Sequence, residues 1–323
     1  MTDLLSDLLT VDAPTPGATT LNPAELPLRV VADWFFTDCK ARNLQPKTVH
    51  FYQLKLSYLL EAAGDWKVKD ITTAHLRLLV NHYHEKRKWS VGTTNHAITT
   101  WKVFFGFLEQ EEYLRENPAR RLEKMKGARY LPEPFSIGDL QRLLAATGTG
   151  LCGARDTVMY LLLLDTGIRL GELMGLCLDD VDMALGQIRV FGKGRKERLV
   201  PFSPPVRRAL MKYLALRETV THGEDELWVS EGGLPFTKDG FNTQLRRVAK
   251  RAKVQHAHAH RFRHTMATMY LQQGGHSAHL QRLLGHTTPT MTNRYVHLAD
   301  IDARDDHQTA SPATHLLKPR KRA

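Results

Sequence analysis

Cysteine is scarce in this chain. Cys39, Cys152 and Cys177 are the three in 323 residues, and no two stand in CxxC spacing. So few and so scattered, they exclude a disulfide framework or a cysteine-based zinc finger and fit a reducing cytoplasm. Long apolar runs are missing too: no stretch approaches the ~18 unbroken apolar residues of a membrane span. The start is acidic and lacks the basic residues and apolar core of a signal peptide, so a cytoplasmic protein without membrane contact is expected. The glycine-lysine run has no GxxxxGK[ST] pattern, which argues against a nucleotide-binding loop of that kind. Acidic residues are in deficit, with 34 Asp and Glu against 45 Lys and Arg, a net charge of +11. Residues 1–28 hold Asp3, Asp7, Asp12 and Glu25 and no Lys or Arg, so the whole surplus lies beyond them. Such a balance suits a polyanionic partner, nucleic acid first and anionic membrane second.

The length suits about two domains, each able to bury a core. Residues 1–27, with Pro14, Pro16, Pro23 and Pro27, read as a flexible N-terminal arm. Apolar residues then recur at three- and four-residue spacing in four stretches: LRVVADWFFTDCKAR, PKTVHFYQLKLSYLLEAAG, TAHLRLLVNHYHEKRK and TTNHAITTWKVFFGFLEQEEYL. They predict a helical domain over 28–127. A charged, proline-bearing stretch makes 128–135 a linker. A second domain, 136–300, opens at SIGDLQRLLAAT, where Ser136 and Asp139 have capping-box spacing. ARDTVMYLLLLDTG is apolar nearly all round and predicts a buried helix. QIRVFGKGRKERLVPF predicts two strands around a glycine-flanked turn, and four further helical stretches follow. Residues 301–323 form a tail with a basic end, in which SPATHLL is a candidate subunit-contact segment. The fold class expected is mainly α with a small β-sheet or hairpin.

Four stretches hold residues that attract phosphate: TGIRLGEL (Arg169, Glu172), FGKGRKERLVP (Lys193, Arg195, Lys196), HRFRH (His260, Arg263, His264) and LLGHTTPTMTNRY (His286, Tyr295). Singly, none decides. Arg169 and Glu172 make an ordinary helical ion pair, a turn lysine is commonplace, and a tyrosine is usually a packing residue with a polar tip. The alternating His256, His258 and His260 invite a zinc reading on a strand, but the sequence turns helical at once and no carboxylate or cysteine nearby completes a shell.

Joined, the parts suit phosphoryl transfer without a metal or other cofactor. Charge on the non-bridging oxygens of a reacting phosphodiester is stabilised by positioned cations. Arginines bind those oxygens in pairs of hydrogen bonds, and a lysine can protonate the leaving oxygen. The set lacks only a nucleophile, which a tyrosine hydroxyl supplies.

In this order and spacing the four stretches resemble the tyrosine recombinase (phage integrase) family, especially its Xer-like branch, from about Leu28 to Leu298. Arg169 to Lys193 is 24 residues, Arg263 to His286 is 23 and His286 to Tyr295 is 9, all matching that family's pattern, and ENPARRLEK resembles its interdomain region. The resemblance implies that Arg169 and Arg263 clamp the scissile phosphate and that Lys193 is the general acid. It implies that His260 assists proton transfer, His286 hydrogen-bonds the phosphate, Tyr295 attacks it and Glu172 supports the site. It further implies a two-domain, C-shaped DNA clamp with an N-terminal four-helix SAM-like core-binding domain, nucleoid-associated. Four identical subunits, alone or with a second recombinase, would act on two specific duplex DNA sites through a Holliday junction.

For DNA contact the basic helix FNTQLRRVAKRAK nominates Arg246, Arg247, Lys250 and Arg251, the hairpin adds Arg195 and Lys196, and the N-terminal helices add Lys47, Thr94, Asn95 and Lys102. Three other classes stay in competition: an architectural DNA-binding protein with a disused site, a histidine-run metallohydrolase, and a relaxing topoisomerase. A covalent adduct formed in EDTA excludes the first two. Strand exchange rather than mere relaxation excludes the third.

Overall fold

The apolar spacing of the first hundred residues becomes helix four times: α1 (Leu28–Ala41), α2 (Pro46–Ala63), α3 (Thr73–Glu85) and α4 (Val91–Gln110). Their starts have local causes. Pro46 occupies the first turn of α2, where a missing N–H matters little. Thr72 and Ser90 accept hydrogen bonds from the backbone N–H groups of His75 and Thr93, capping α3 and α4. The buried faces meet in an aromatic-rich core of Phe35, Leu56, Leu59, Trp101, Phe104 and Phe105. Phe35 stands edge-on to Phe104 at 5.5 Å. The Trp101 indole N–H, the polar atom of that core, donates to Lys55 O at 3.2 Å. Each large apolar side chain buried here contributes about 1.5–3 kcal/mol.

This computed structural model describes residues 22–127, 133–192, 196–221, 223–286 and 288–298. Two compact units divide the chain, Met1–Arg129 and Tyr130–Ala323.

The second unit contains α5 (Ile137–Ala145), α6 (Gly150–Thr166), α7 (Leu170–Met174), β1 (Val181–Asp182), β2 (Gln187–Phe191), β3 (Glu197–Pro201), α8 (Pro204–Arg217), α9 (Lys238–Ala252), α10 (Ala259–Gln272), α11 (Ser277–Leu284) and α12 (Pro289–Leu298). The capping box of α5 is present: Ser136 Oγ accepts from the Asp139 N–H, and the Asp139 carboxylate accepts from the Ser136 N–H. The apolar helix α6 is the hub, packed between α8 and α10. The strands form one antiparallel sheet in the order β1-β2-β3, with Ile188 paired to both Val181 and Val200.

The structure departs from the sequence reading at several places. Glu133–Phe135, read as linker, dock on the second unit: Phe135 is buried against Phe262 and its N–H donates to Thr265. The Arg261 side chain donates to the carbonyls of Glu133 and Pro134. Helix α12 and the strand β1 were not foreseen, β1 being too short for a periodic signal and α12 too polar. The histidine run forms no strand. His256 is left-handed (φ +54°), and His258 caps α10 by accepting the Arg261 N–H on Nδ1.

Candidate active site

Two left-handed glycines start the site. Gly167 ends α6 at φ +62°, and a Cβ there would lie 2.6 Å from Leu284. Gly285 ends α11 at φ +62°, with the Arg198 guanidinium 3.0 Å from where its Cβ would be. Glycine meets both the backbone conformation and the close approach. The turn at Gly167 brings Arg169 to the N-terminus of α7, where its N–H donates to the Glu172 carboxylate at 2.8 Å.

The end of α11 then gathers three guanidiniums. A helix C-terminus leaves carbonyls without intrahelical partners and carries partial negative charge. Arg198 Nε donates to Leu283 O at 3.0 Å, Arg263 Nη2 to Leu284 O at 2.8 Å, and Arg169 Nη2 to Gly285 O at 3.4 Å. Three consecutive carbonyls thus hold three arginines side by side. Glu172 supplies the compensating charge, accepting from Arg169 Nη1 at 2.9 Å and from both Arg198 Nη atoms at 3.0 and 2.8 Å. Burial pushes the Glu172 carboxyl up, but hydrogen bonds from Arg198 and Arg169 outweigh it and hold the group below the usual carboxylate range.

Arg263 is 2 % exposed and also donates to Gly167 O at 2.7 Å. Burial, with Arg169 nearby, lowers it to about 10, so it stays cationic at neutral pH. Arg169 is the open member, its side chain 44 % exposed. A cleft of about 670 Å³ is lined by Arg169, Glu172, Gly192, Lys238, His260 and Arg263, among others.

The nucleophile candidate lies on α12. Tyr295 is 5 % exposed, packed among Met266, Leu271, Leu280 and Leu284. Its ring is parallel to that of His286 (8°, 6.2 Å) and 5.2 Å from that of His264, which in turn touches His260 at 4.6 Å. Burial and the neighbouring cations hold His264 and His286 to about 4 and also lower His260. Neutral imidazoles result at physiological pH.

Of the sequence-nominated residues, Arg169, Glu172, His260 and Arg263 line one cleft, while His286 and Tyr295 connect to it through the Arg263–His286 contact and the stacked rings. Lys193 and Arg195 lie outside the described residues, as do the tail segment SPATHLL and most of the linker. Lys196 is exposed beside the hairpin. Arg246, Arg247, Lys250 and Arg251 are all on the outer face of α9, though Arg251 already donates to Ala146 O at 2.8 Å. In the first unit Lys47 is exposed and Lys102 half-buried. Thr94 and Asn95 are corrected. Thr94 is 1 % exposed with its hydroxyl on Ser90 O, and Asn95 spends its amide on the Met125 N–H and C=O.

Sequence reasoning missed Arg198, Lys238 and Thr292. Arg198 carried a usable signal, since strand alternation puts it on the same face as the buried Val200. Lys238, beside the cleft, carried none.

Comparison with known proteins agrees with this geometry. The sequence model of the phage integrase family matches residues 137–301, and that of the phage integrase N-terminal SAM-like domain matches 32–114. A tyrosine recombinase XerC of Oceanobacillus iheyensis is 31 % identical over 281 residues, covering 84 % of this chain and 92 % of that protein. A XerC of Alcanivorax borkumensis is 31 % identical over 262 residues, 80 % of this chain and 85 % of that protein. In fold, the chain is similar to lambda integrase in a dimer bound to a COC′ core site (TM-score 0.72, 19 % identity, 90 % of this chain and 83 % of that one). It is also similar to XerH recombinase bound to a palindromic difH substrate (TM-score 0.68, 21 % identity, 85 % and 82 %). A cleft lined by Arg169 and Arg263, with Arg263 joined through His286 to the ring of Tyr295, together with these sequence matches defines a DNA breaking-and-rejoining enzyme. The chain belongs to the phage integrase family, the tyrosine recombinases.

Proposed function

We propose that this recombinase cuts its site by attack of Tyr295 Oη on a backbone phosphorus. The new O–P bond leaves a 3′-phosphotyrosine as the bond to the 5′ oxygen breaks. The phenol gives up its proton, and Lys193 supplies one to the departing 5′ oxygen. Attack by a 5′ hydroxyl of the partner duplex reverses the step and joins exchanged strands, through a Holliday junction. Arg169 and Arg263 hold the non-bridging oxygens, His260 assists proton transfer from the cleft edge, and His286 completes the set beside Arg263. Glu172 orients the guanidiniums.

One observation carries the reading: three arginines on consecutive carbonyls at the end of α11, one of them bonded to the His286 ring that lies parallel to Tyr295. An array of fixed donors is what stabilises a phosphoryl transition state. Gly192, on the cleft rim, supports placing Lys193 there.

The DNA-facing set is Lys196, Arg246, Arg247 and Lys250 with Arg195, joined by Lys47 and Lys102 from the first unit. Such contacts position the protein through phosphates. The domains are 28–127 for core binding and 136–300 for catalysis, flanked by the arm, the linker and the tail. A homotetramer on two sites, alone or with a second recombinase, is supported by lambda integrase, solved as a tetramer on a Holliday junction. Action on DNA places the protein at the nucleoid; among the described residues no helix is long and apolar enough to cross a membrane.

The test is a suicide substrate nicked beside the cut, incubated in EDTA. Wild type should become covalently linked to a DNA 3′ end. Persistence of the adduct in Tyr295→Phe would overturn the assignment.

A further inference from the structure

Three arginines meet at the end of α11, but they do not face the same way. Arg169 and Arg263 line the cleft, and Arg198 is not among the described residues that do. The Arg198 side chain is 16 % exposed, against 44 % for Arg169. It rises from β3, where it pairs with Val190 of β2, and each of its three nitrogens is engaged. Nε donates to Leu283 O, Nη1 to Glu172 Oε1 and Nη2 to Glu172 Oε2. Guanidinium and carboxylate thus form a two-bond fork, the strongest geometry open to such a pair.

Arg169 holds the same carboxylate differently. Its backbone N–H donates to Oε2 and its Nη1 to Oε1, while Nη2 donates to Gly285 O. A guanidinium has five N–H groups, so most of those on Arg169 remain for an incoming oxygen. Glu172 carries a single negative charge. With Arg198 forked onto it that charge is already met, and the charge of Arg169 is left for the phosphate. Burial pushes the Glu172 carboxyl up, and the hydrogen bond from Arg198 is the strongest pull that keeps it ionised.

We propose that Arg198 is a positioning residue that occupies and neutralises Glu172, so that Arg169 meets the phosphate with its own charge and most of its donors uncommitted. Arg198 touches no phosphate oxygen itself. Without it, the buried Glu172 has Arg169 as its one remaining guanidinium, and the carboxylate turns to fork onto that side chain. The tighter this new pair, the weaker the clamp on the phosphate. The worth of Arg198 therefore depends on the charge of Glu172, which would not be so for a direct phosphate ligand.

The effect on cleavage rests on Arg169 holding the scissile phosphate, but the capture of Arg169 by Glu172 does not, so the experiment has two arms. In the first, single-turnover adduct formation is measured on the suicide substrate at saturating duplex. Arg198→Met should lower the rate about thirty- to three-hundredfold, near the loss of one fixed donor. Arg198→Lys keeps the charge and should lose no more than about tenfold. Glu172→Gln lowers the rate in wild type, yet added to Arg198→Met it should raise the rate at least about fivefold above that variant alone. A merely structural arginine predicts the opposite, because a second destabilising change would add to the first. In the second arm, the crystal structure of free, full-length Arg198→Met should show both Glu172 oxygens on the Arg169 guanidinium. The double variant should show Arg169 returned to the cleft.

A double variant slower than Arg198→Met overturns the proposal, as does an Arg198→Met structure in which Arg169 has not moved. If Arg198→Met fails to fold, Arg198→Gln, which keeps a hydrogen-bond donor and removes the charge, takes its place in both arms. If wild type yields no adduct, the nucleophile assignment fails instead, and the two structures alone decide.

Discussion

The two units bury different things. Among the described residues of the first, no Arg, Lys, His, Asp or Glu is buried; the buried polar side chains are Thr94, Thr100 and Asn117. Its ion pairs, such as Arg87–Glu61, lie in the open, with side chains 58 % and 60 % exposed. The second unit buries Arg155, Asp156, Glu172, Asp180, Arg217, Arg263 and His286. A helical module that only needs shape can keep its charges in water, where each is cheap to hold. A site that must stabilise charge on a phosphate needs cations with few water neighbours and fixed directions. The second unit meets the desolvation penalty with helix-end carbonyls and one shared carboxylate.

Predictions that break or sharpen this contrast fall in order of size. Arg263→Lys keeps the charge but loses the planar fork that reaches Gly167, Leu284 and His286 together. Single-turnover cleavage should fall by about 10²–10³, and a loss below fivefold would show the fork is not needed. Glu172→Gln leaves two guanidiniums facing a neutral amide. Denaturant titration should show a loss of about 3 kcal/mol. The matched change in the first unit, Glu61→Gln, should stay within about 0.5 kcal/mol, as exposed pairs do. Equal losses at the two positions would erase the contrast.

Acid should discriminate too. His264 and His286 titrate at about 4 when folded, against about 6.5 for a free histidine. Between those values the unfolded chain binds protons that the folded chain refuses, so stability falls as pH drops from about 6.5 to about 4 and this contribution is flat above 6.5. Scanning calorimetry should show the drop, reduced in His264→Gln. A variant drop equal to wild type would remove His264 from the account.

Legibility in the sequence follows the same divide. The helices of the first unit were readable because one strong apolar period runs through each of them. Arg169, Arg263, His286 and Tyr295 were readable through their order and spacing, which the resemblance supplied. What holds them was not. Arg198 sits next to Glu197 in a hairpin and looks like a surface charge until β3 is paired with β2. The polar run before Tyr295 hid α12, whose existence depends on packing against α10 and α11. Thr94 and Asn95 looked available because polarity in a sequence does not say which way a helix turns. The three carbonyls at the end of α11, of Leu283, Leu284 and Gly285, are backbone atoms, invisible to any reading of side chains.

The central claim is that one phenol, facing a cluster of buried and half-buried cations, joins the enzyme to DNA. The most direct measurement is mass spectrometry of the trapped adduct after nuclease and trypsin digestion. The nucleotide should be carried on the peptide YVHLADIDAR, residues 295–304, through Tyr295. A nucleotide on any other peptide, or an active enzyme that never yields a nucleotide-bearing peptide, would contradict it.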